Sequence, residues 1–185
     1  MTVTYRRLTP TDFCIVAPQL IGVHLAAMAY PASLAGRKLA SWKADSRQPG
    51  FRAIAALTPD RIIGIAYGFL GSQDTWWDQQ LRRAIADAGT DPAVAEHYFE
   101  VAEIHVAPGY QGHGVGRTLL IELLRGVAAP RALLSTPEVP GEANAAFALY
   151  RRAGFTDVAR DFHYPGDERG FAILACRLPL DGPAD

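Results

Sequence analysis

Residues 111–117 read Gln-Gly-His-Gly-Val-Gly-Arg and hold three glycines at alternate positions. They stand between a predicted strand and a predicted helix. Glycine removes the side chain where the backbone must approach a ligand closely. The start of a helix offers unpaired N–H groups and a partial positive charge. This combination predicts an anion-binding loop, with a diphosphate as the natural ligand.

Two common diphosphate-binding loops do not fit these residues. A P-loop has a lysine after its last glycine, whereas Arg117 follows Gly116 here. A dinucleotide fingerprint has glycine at its first, third and sixth positions. Counted from Gly112 or from Gly114, the sixth position is Arg117 or Leu119. An unrelated nucleotide-binding enzyme is therefore the weakest of the functions considered.

The pattern Gln-x-x-Gly-x-Gly resembles the acyl-CoA diphosphate loop of the GCN5-related N-acetyltransferases (the GNAT family). The stretch Glu-Val-Ala-Glu-Ile-His-Val from Glu100 precedes the loop, and Asn144, Tyr150 and Gly154-Phe155 follow it at the family's spacing. The resemblance covers nearly the whole chain and implies acetyl-CoA as cosubstrate. It assigns the diphosphate to the backbone N–H groups of the loop, with added charge from its arginine: Gln111, Gly112, His113, Gly114, Val115, Gly116 and Arg117.

Acetyl transfer to an amine also needs a group that removes a proton. A lysine-like amine, with a pKa of about 10.4, is almost wholly protonated at pH 7, so a carboxylate nearby is useful. Glu100 and Glu103 lie on the strand before the loop, on opposite faces if that strand is regular. Glu103 is nearer the loop and is the first choice of base. Glu100, His105 and an ordered water chain remain alternatives.

The resemblance implies roles for four further positions. The thioester carbonyl and the pantetheine amides would bind main-chain groups of Ile104, His105 and Val106. Asn144 would contact the same cofactor arm, unless it only caps the next helix. Tyr150 would protonate the leaving thiolate, because a phenol keeps its proton at neutral pH; its alternative is a core aromatic residue.

The elements that position these residues follow from apolar periodicity and turn residues. Strands are predicted near residues 3–8, 51–57, 61–70, 98–106, 132–135, 156–162 and 171–178. Helices are predicted near 11–29, 33–45, 75–88, 142–153 and directly after the glycine loop. This order predicts a mixed α/β (α+β) domain. The resemblance implies a GNAT-like, mostly antiparallel central sheet flanked by helices, with acyl-CoA bound at a splay between two central strands.

Composition limits the function further. The chain has 185 residues, 49% of them hydrophobic, and a formal net charge of −1. We therefore expect one domain, residues 1–185, with an extra helical insertion at about 72–97. No basic run exceeds a pair, so we expect no nucleic-acid partner. Cys14 and Cys176 cannot form a disulfide framework, which favours reduced thiols in the cytoplasm.

Two further exclusions concern the membrane and metals. The stretch from Phe13 to Gly36 has no charged residue but is broken by Pro18 and Pro31, so we expect a buried helix and no membrane span. The five histidines show no ligand spacing with cysteine or acid, so we expect no metal.

These observations predict an acetyl-CoA-dependent N-acetyltransferase that acts on a small-molecule amine. The alternative is a catalytically inactive acyl-CoA sensor or scaffold of the same fold. Trp76 and Trp77 lie in the insertion. They are expected to wall the acceptor pocket, to pack a homodimer interface or to anchor the inserted helix.

Overall fold

The structure, a computed structural model, describes residues 2–180, which form seven strands and five α-helices. The strands are β1 (Thr4–Leu8), β2 (Arg52–Leu57), β3 (Ile62–Leu70), β4 (Tyr98–Val106), β5 (Arg131–Pro137), β6 (Thr156–His163) and β7 (Gly170–Arg177). The helices are α1 (Pro10–Met28), α2 (Ala35–Asp45), α3 (Trp76–Ala88), α4 (Val115–Leu124) and α5 (Ala145–Arg152). The predicted order of elements is confirmed.

The seven strands follow the order β1-β2-β3-β4-β5-β7-β6. The pairs β1–β2, β2–β3, β5–β7 and β6–β7 are antiparallel. The pair β4–β5 is parallel and joins only Tyr98–Glu100 to Arg131–Leu133. The mixed, mostly antiparallel sheet flanked by helices confirms the predicted fold class. The acyl-CoA site expected at a splay between two central strands stays a prediction.

The chain divides into two compact units. One lies within Met1–Phe69 and Val101–Arg125, and the other within Leu70–Glu100 and Gly126–Asp185. Strand β4 therefore contributes its first three residues to the second unit and the rest to the first. The expectation of a single domain stays a prediction.

The core of the first unit is built by α1 and α2 on β2 and β3. Helix α1 begins with a capping box, in which the Thr9 side chain accepts the Asp12 N–H and the Asp12 carboxylate accepts the Thr9 N–H. The cap fixes where the helix begins, and its 3.6-residue turn brings a residue to the buried face every three or four positions. That face carries Phe13, Ala17, Leu20, Ile21 and His24.

Among the described residues, α1 is the one helix long and apolar enough to cross a membrane. A core helix passes the same test. The α1 side chains of Phe13, Leu20 and Ile21 belong to a buried cluster with Trp42 and Tyr67. This packing is that of a core helix.

The core of the second unit joins α3 to β4–β7 and contains Leu81, Ile85, Tyr98, Leu133 and Ile173. Helix α3 is anchored by Trp77, whose indole N–H donates to the Tyr164 hydroxyl at 3.0 Å. The neighbouring Trp76 lies against Tyr164 and remains 55% exposed. Within this unit the tryptophan pair therefore anchors α3, and the expectation that residues 72–97 are an insertion stays a prediction.

Candidate active site

The glycine loop has the backbone that an anion site needs. Gly112 and Gly114 have φ of 77° and 79°, in the left-handed region that favours glycine. A Cβ added at either position would meet no heavy atom within 4 Å. The loop surface is therefore open at both glycines, as the close approach of a ligand requires.

Helix α4 begins directly at the end of this loop. The carbonyl of its N-cap, Gly114, accepts the Thr118 N–H at 3.1 Å. The N–H groups of Val115, Gly116 and Arg117 precede that bond and have no acceptor within the helix. Together with the helix dipole they form the kind of site that binds anions, and the predicted binding of a diphosphate there stays a prediction.

Gln111 fixes the loop to the end of β4. Its side-chain amide donates to the Val106 carbonyl at 2.9 Å. The next three residues are exposed. Among them, the His113 ring donates its Nδ1 hydrogen to the Gln111 carbonyl at 2.7 Å. The Gln111 side chain thus fastens the loop to the end of β4.

Glu103 lies on β4 within the first unit and has a partner on each carboxylate oxygen, an imidazole on one and an ammonium group on the other. Oε2 is 2.6 Å from His105 Nε2, and Oε1 is 3.2 Å from Lys38 Nζ. Burial alone would raise the pKa of Glu103, but the hydrogen bond from His105 and the charges of His105, Lys38 and His24 lower it to about 2. The carboxylate is therefore ionised throughout the neutral range.

His105 reaches Glu103 because residues two apart on a strand share a face. A carboxylate accepts hydrogen bonds only, so the 2.6 Å contact places a hydrogen on His105 Nε2 and leaves the lone pair on Nδ1. The sequence analysis assigned only main-chain roles to this position, with the ring as an alternative base. The structure brings the ring into direct contact with the first-choice carboxylate.

His24, which was absent from the predicted site residues, completes this cluster from α1. Its Nδ1 lies 2.9 Å from His105 Nε2 and 3.7 Å from Glu103 Oε2. Burial lowers the pKa of His24 to about 4, opposed by Glu103 and assisted by His105 and Lys38. The ring is therefore neutral at pH 7. Its Nε2 is buried with no hydrogen-bond partner among the described residues.

One face of α2 forms the surroundings of the cluster. Lys38, Trp42 and Asp45 follow one another at helical spacing, so they lie on one side of the helix. Trp42 is fully buried and packs edge-on to both His24 and Tyr67, with ring centroids 5.5 and 5.0 Å away. Burial raises the pKa of Asp45, which accepts a hydrogen bond from Tyr67 at 2.8 Å. The cluster of His24, Glu103 and His105 is therefore bordered by the aromatic side chains of Trp42 and Tyr67.

Glu100, Asn144 and Tyr150 belong to the second unit. Glu100 is buried. Burial is the largest cause that raises the pKa of Tyr98 and of Tyr164, and the charge of Glu100 raises both further. Asn144 caps α5, since its Oδ1 accepts the Phe147 N–H at 2.8 Å. That cap explains why the helix begins at Ala145 rather than at Glu142.

Tyr150 lies on α5 and is 6% exposed, with its ring 5.7 Å from that of Phe155. This packing is compatible with both predicted roles, the proton donor and the core aromatic residue. The roles proposed for Tyr150 and for Asn144 toward acetyl-CoA stay predictions.

Comparison with known proteins agrees with the loop and the sheet. Residues 53–157 match the family model described as an acetyltransferase (GNAT) domain. The GCN5-like protein acetyltransferase Rv2170 of Mycobacterium tuberculosis is 36% identical over 199 residues, which cover 94% of this chain and 97% of that protein. The chain belongs to the GNAT family. This GNAT protein is therefore an acetyl-CoA-dependent acyltransferase.

Two further similarities are more limited, the first in the length matched and the second in sequence identity. The mycothiol acetyltransferase of Beutenbergia cavernae is 35% identical over 102 residues, 49% of this GNAT chain and 33% of that protein. The structure of yncA from Salmonella typhimurium with its cofactor acetyl-CoA has a TM-score of 0.61 and 17% identity, covering 100% of this chain and 99% of that one. The second similarity shows the shared fold.

Proposed function

We propose that this GNAT enzyme transfers the acetyl group of acetyl-CoA to a primary amine, and that Glu103 and His105 act together on the amine proton. The observation that carries the proposal is the 2.6 Å contact between His105 Nε2 and Glu103 Oε2. It lies on the strand that leads directly into the glycine loop. The same unit thus holds a proton-accepting pair and an anion-binding loop.

The pair is better suited to the task than the carboxylate alone. A carboxylate with a pKa of about 2 is always ionised but holds a proton weakly. An imidazole is the side chain whose charge changes nearest to neutral pH. With Nε2–H donated to Glu103, His105 Nδ1 takes the amine proton and the carboxylate stabilises the imidazolium. This arrangement refines the first-choice role of Glu103 and keeps Glu100 as the weaker candidate.

Acetyl-CoA is held, in this proposal, by main-chain groups. The N–H groups of residues 112–117 bind the diphosphate, with Arg117 exposed at the start of α4 to add charge. Main-chain groups of Ile104 and His105 bind the thioester carbonyl and the pantetheine arm, and Asn144 contacts the arm. The Val106 carbonyl is already engaged by Gln111. Its N–H is therefore the group of Val106 that the arm would use.

Tyr150 donates the proton that the leaving thiolate needs. The collapse of the tetrahedral intermediate breaks the carbon–sulfur bond and leaves negative charge on sulfur. A phenol is a weak acid that keeps its proton at neutral pH, so it can supply that proton to the sulfur. Removal of the hydroxyl while the ring is kept separates this role from packing.

For the acceptor we propose an amine of a protein. The supporting observation is that the relative spanning 94% of this chain is named a protein acetyltransferase. The small-molecule amine expected from the sequence is the second candidate. It is supported by the match of about half the chain to an enzyme whose name gives mycothiol, a small molecule.

The test measures CoA release with a thiol reagent in the presence of acetyl-CoA and an acceptor panel. One arm holds lysine-bearing and free-N-terminus peptides, and the other holds small amines at matched concentration. The proposal expects turnover with a peptide arm and a large loss in Tyr150→Phe. Turnover with small amines alone would shift the acceptor to the second candidate. Acetyl-CoA binding without CoA release on either arm would favour the inactive sensor.

A further inference from the structure

Three metal-ligating atoms on two elements of the first unit point at one another. His24 Nδ1, His105 Nε2 and Glu103 Oε2 lie 2.9, 2.6 and 3.7 Å apart. One imidazole comes from α1, and the other two side chains come from one face of β4. We propose that these three groups form a binding site for a zinc ion, and that zinc bound there blocks acetyl transfer.

The donor set matches zinc better than a hard cation. Two imidazoles and one carboxylate are a common three-ligand set for zinc, with a fourth position left to water. Magnesium and calcium prefer sites made of oxygen atoms. The ligand atoms of a tetrahedral zinc ion lie about 3.4 Å apart. The shorter two separations here need to widen by less than an ångström, which small side-chain rotations supply.

The protonation of the cluster also allows a cation to bind among the three atoms. Only one hydrogen lies among them, on His105 Nε2, because His24 Nδ1 faces that same hydrogen. When zinc binds, the neutral His105 ring changes tautomer: Nε2 gives its proton to solvent and Nδ1 takes one from solvent, so the Nε2 lone pair faces the metal. All three facing atoms then direct lone pairs at the metal. His24 needs no change of tautomer, since its hydrogen is already on Nε2.

Access and charge set the strength of the site. The side chains of His105 and Glu103 are 11% and 18% exposed, so solvent can supply the fourth ligand. Lys38 holds the other carboxylate oxygen at 3.2 Å, which keeps Glu103 monodentate and places a like charge near the metal. Lys38 therefore weakens the site without contributing a ligand. This gives the proposal a variant that should strengthen binding.

The blocking effect rests on the proposed function. Zinc would occupy Glu103 Oε2 and His105 Nε2, so the pair could no longer hold the amine proton. Binding itself does not depend on that function, and the two parts are measured separately.

The experiment titrates the whole chain with ZnCl₂ in competition with a chromophoric chelator, using metal-free protein at constant pH. We expect one equivalent to bind the wild type. His105→Gln and Glu103→Gln should each weaken binding by about 100-fold or more, since second-shell changes alone cost 10–100-fold. Lys38→Met should tighten it by about tenfold. His163→Gln is the matched control, because His163 is an exposed histidine 3.8 Å from Asp161.

Circular dichroism of each variant establishes that it is folded. Loss of binding in both ligand variants, tightening in Lys38→Met and no change in the control support the site. Absence of one-equivalent binding in the wild type, or equal affinity in wild type and both ligand variants, overturns it. If zinc binds as expected yet CoA release is unchanged at saturating zinc, the blocking effect is wrong. If no CoA release occurs with or without zinc, the proposed function fails and the metal site stands.

Discussion

Gly114→Ala tests whether the loop backbone holds acetyl-CoA. Gly114 is the N-cap of α4 with φ 79° and ψ −3°, a left-handed conformation that costs a residue with a Cβ about 1–2 kcal/mol. The added methyl group itself would meet no atom within 4 Å. The substitution therefore acts through backbone strain at residue 114 and not through a steric clash of the new methyl group. The chain can relieve it only by rotating the peptide planes on either side.

That rotation changes the direction of the N–H groups that face the ligand. We expect the free energy of unfolding to fall by about 1 kcal/mol, because alanine also restricts the unfolded chain. Acetyl-CoA affinity should fall tenfold or more, since about 1.4 kcal/mol of lost hydrogen bonding corresponds to a factor of ten. Calorimetric titration gives the affinity, and urea titration gives the stability.

Gly89→Ala is the matched control. Gly89 caps the C-terminus of α3 with φ 65° and ψ 24°, and an added Cβ there would also meet no atom within 4 Å. It should lose similar stability and keep its acetyl-CoA affinity. If the two variants bind acetyl-CoA equally well, the loop does not hold the diphosphate as we argue.

Two further predictions concern proton positions. Tyr150→Phe should change the free energy of unfolding by only about 1 kcal/mol while turnover falls by roughly 10²–10⁴-fold; normal turnover with a large drop in melting temperature would make Tyr150 a core residue only. Because the pKa of His24 is lowered to about 4 when folded, against 6.5 when unfolded, the unfolded chain binds more protons below pH 6.5. Stability should therefore fall between pH 6.5 and 4, by up to about 3 kcal/mol. Urea titrations should show this loss in the wild type and in His163→Gln but not in His24→Gln; an equal slope in all three would contradict the burial argument.

Local signals were sufficient for β4 and the loop that follows it. The mostly apolar run from Tyr98 to Val106 predicts the strand with the bounds observed, and the three alternate glycines between a strand and a helix predict the loop. Both features depend on a few neighbouring residues. The family resemblance rests largely on the same stretch. Local sequence therefore predicts this part of the chain most accurately.

The partners of Glu103 come together through the packing of helices on the sheet, which local sequence patterns do not predict. His24 lies 81 positions before His105 and reaches it only because α1 packs in the first unit's core. A signal existed, since a histidine on the apolar face of a helix is a buried polar group that needs a partner. Lys38 carries a similar signal at helical spacing with Trp42 and Asp45. Choosing Glu103 or another acid as their partner required the three-dimensional structure.

The small errors at helix ends have a different origin. The first helix is predicted to begin near residue 11, whereas it begins at Pro10, with Thr9 as its cap and Asp12 closing the capping box. Helix α5 was expected from Glu142, but the Asn144 side chain caps it two residues later. Several adjacent residues could accept the same N–H groups, and the path of the preceding chain decides among them. Such boundaries shift without moving the buried face that positions the site.

The central claim is that Glu103 and His105 work as one unit on the amine proton, and a double-mutant cycle on kcat/KM tests it most directly. CoA release is measured for the wild type, Glu103→Gln, His105→Gln and the double variant with the same acceptor. We predict that each single change lowers kcat/KM by roughly 10²–10⁴-fold and that the double variant loses no more than the worse single variant. Losses that multiply in the double variant, or a single variant with wild-type kcat/KM, would contradict the claim.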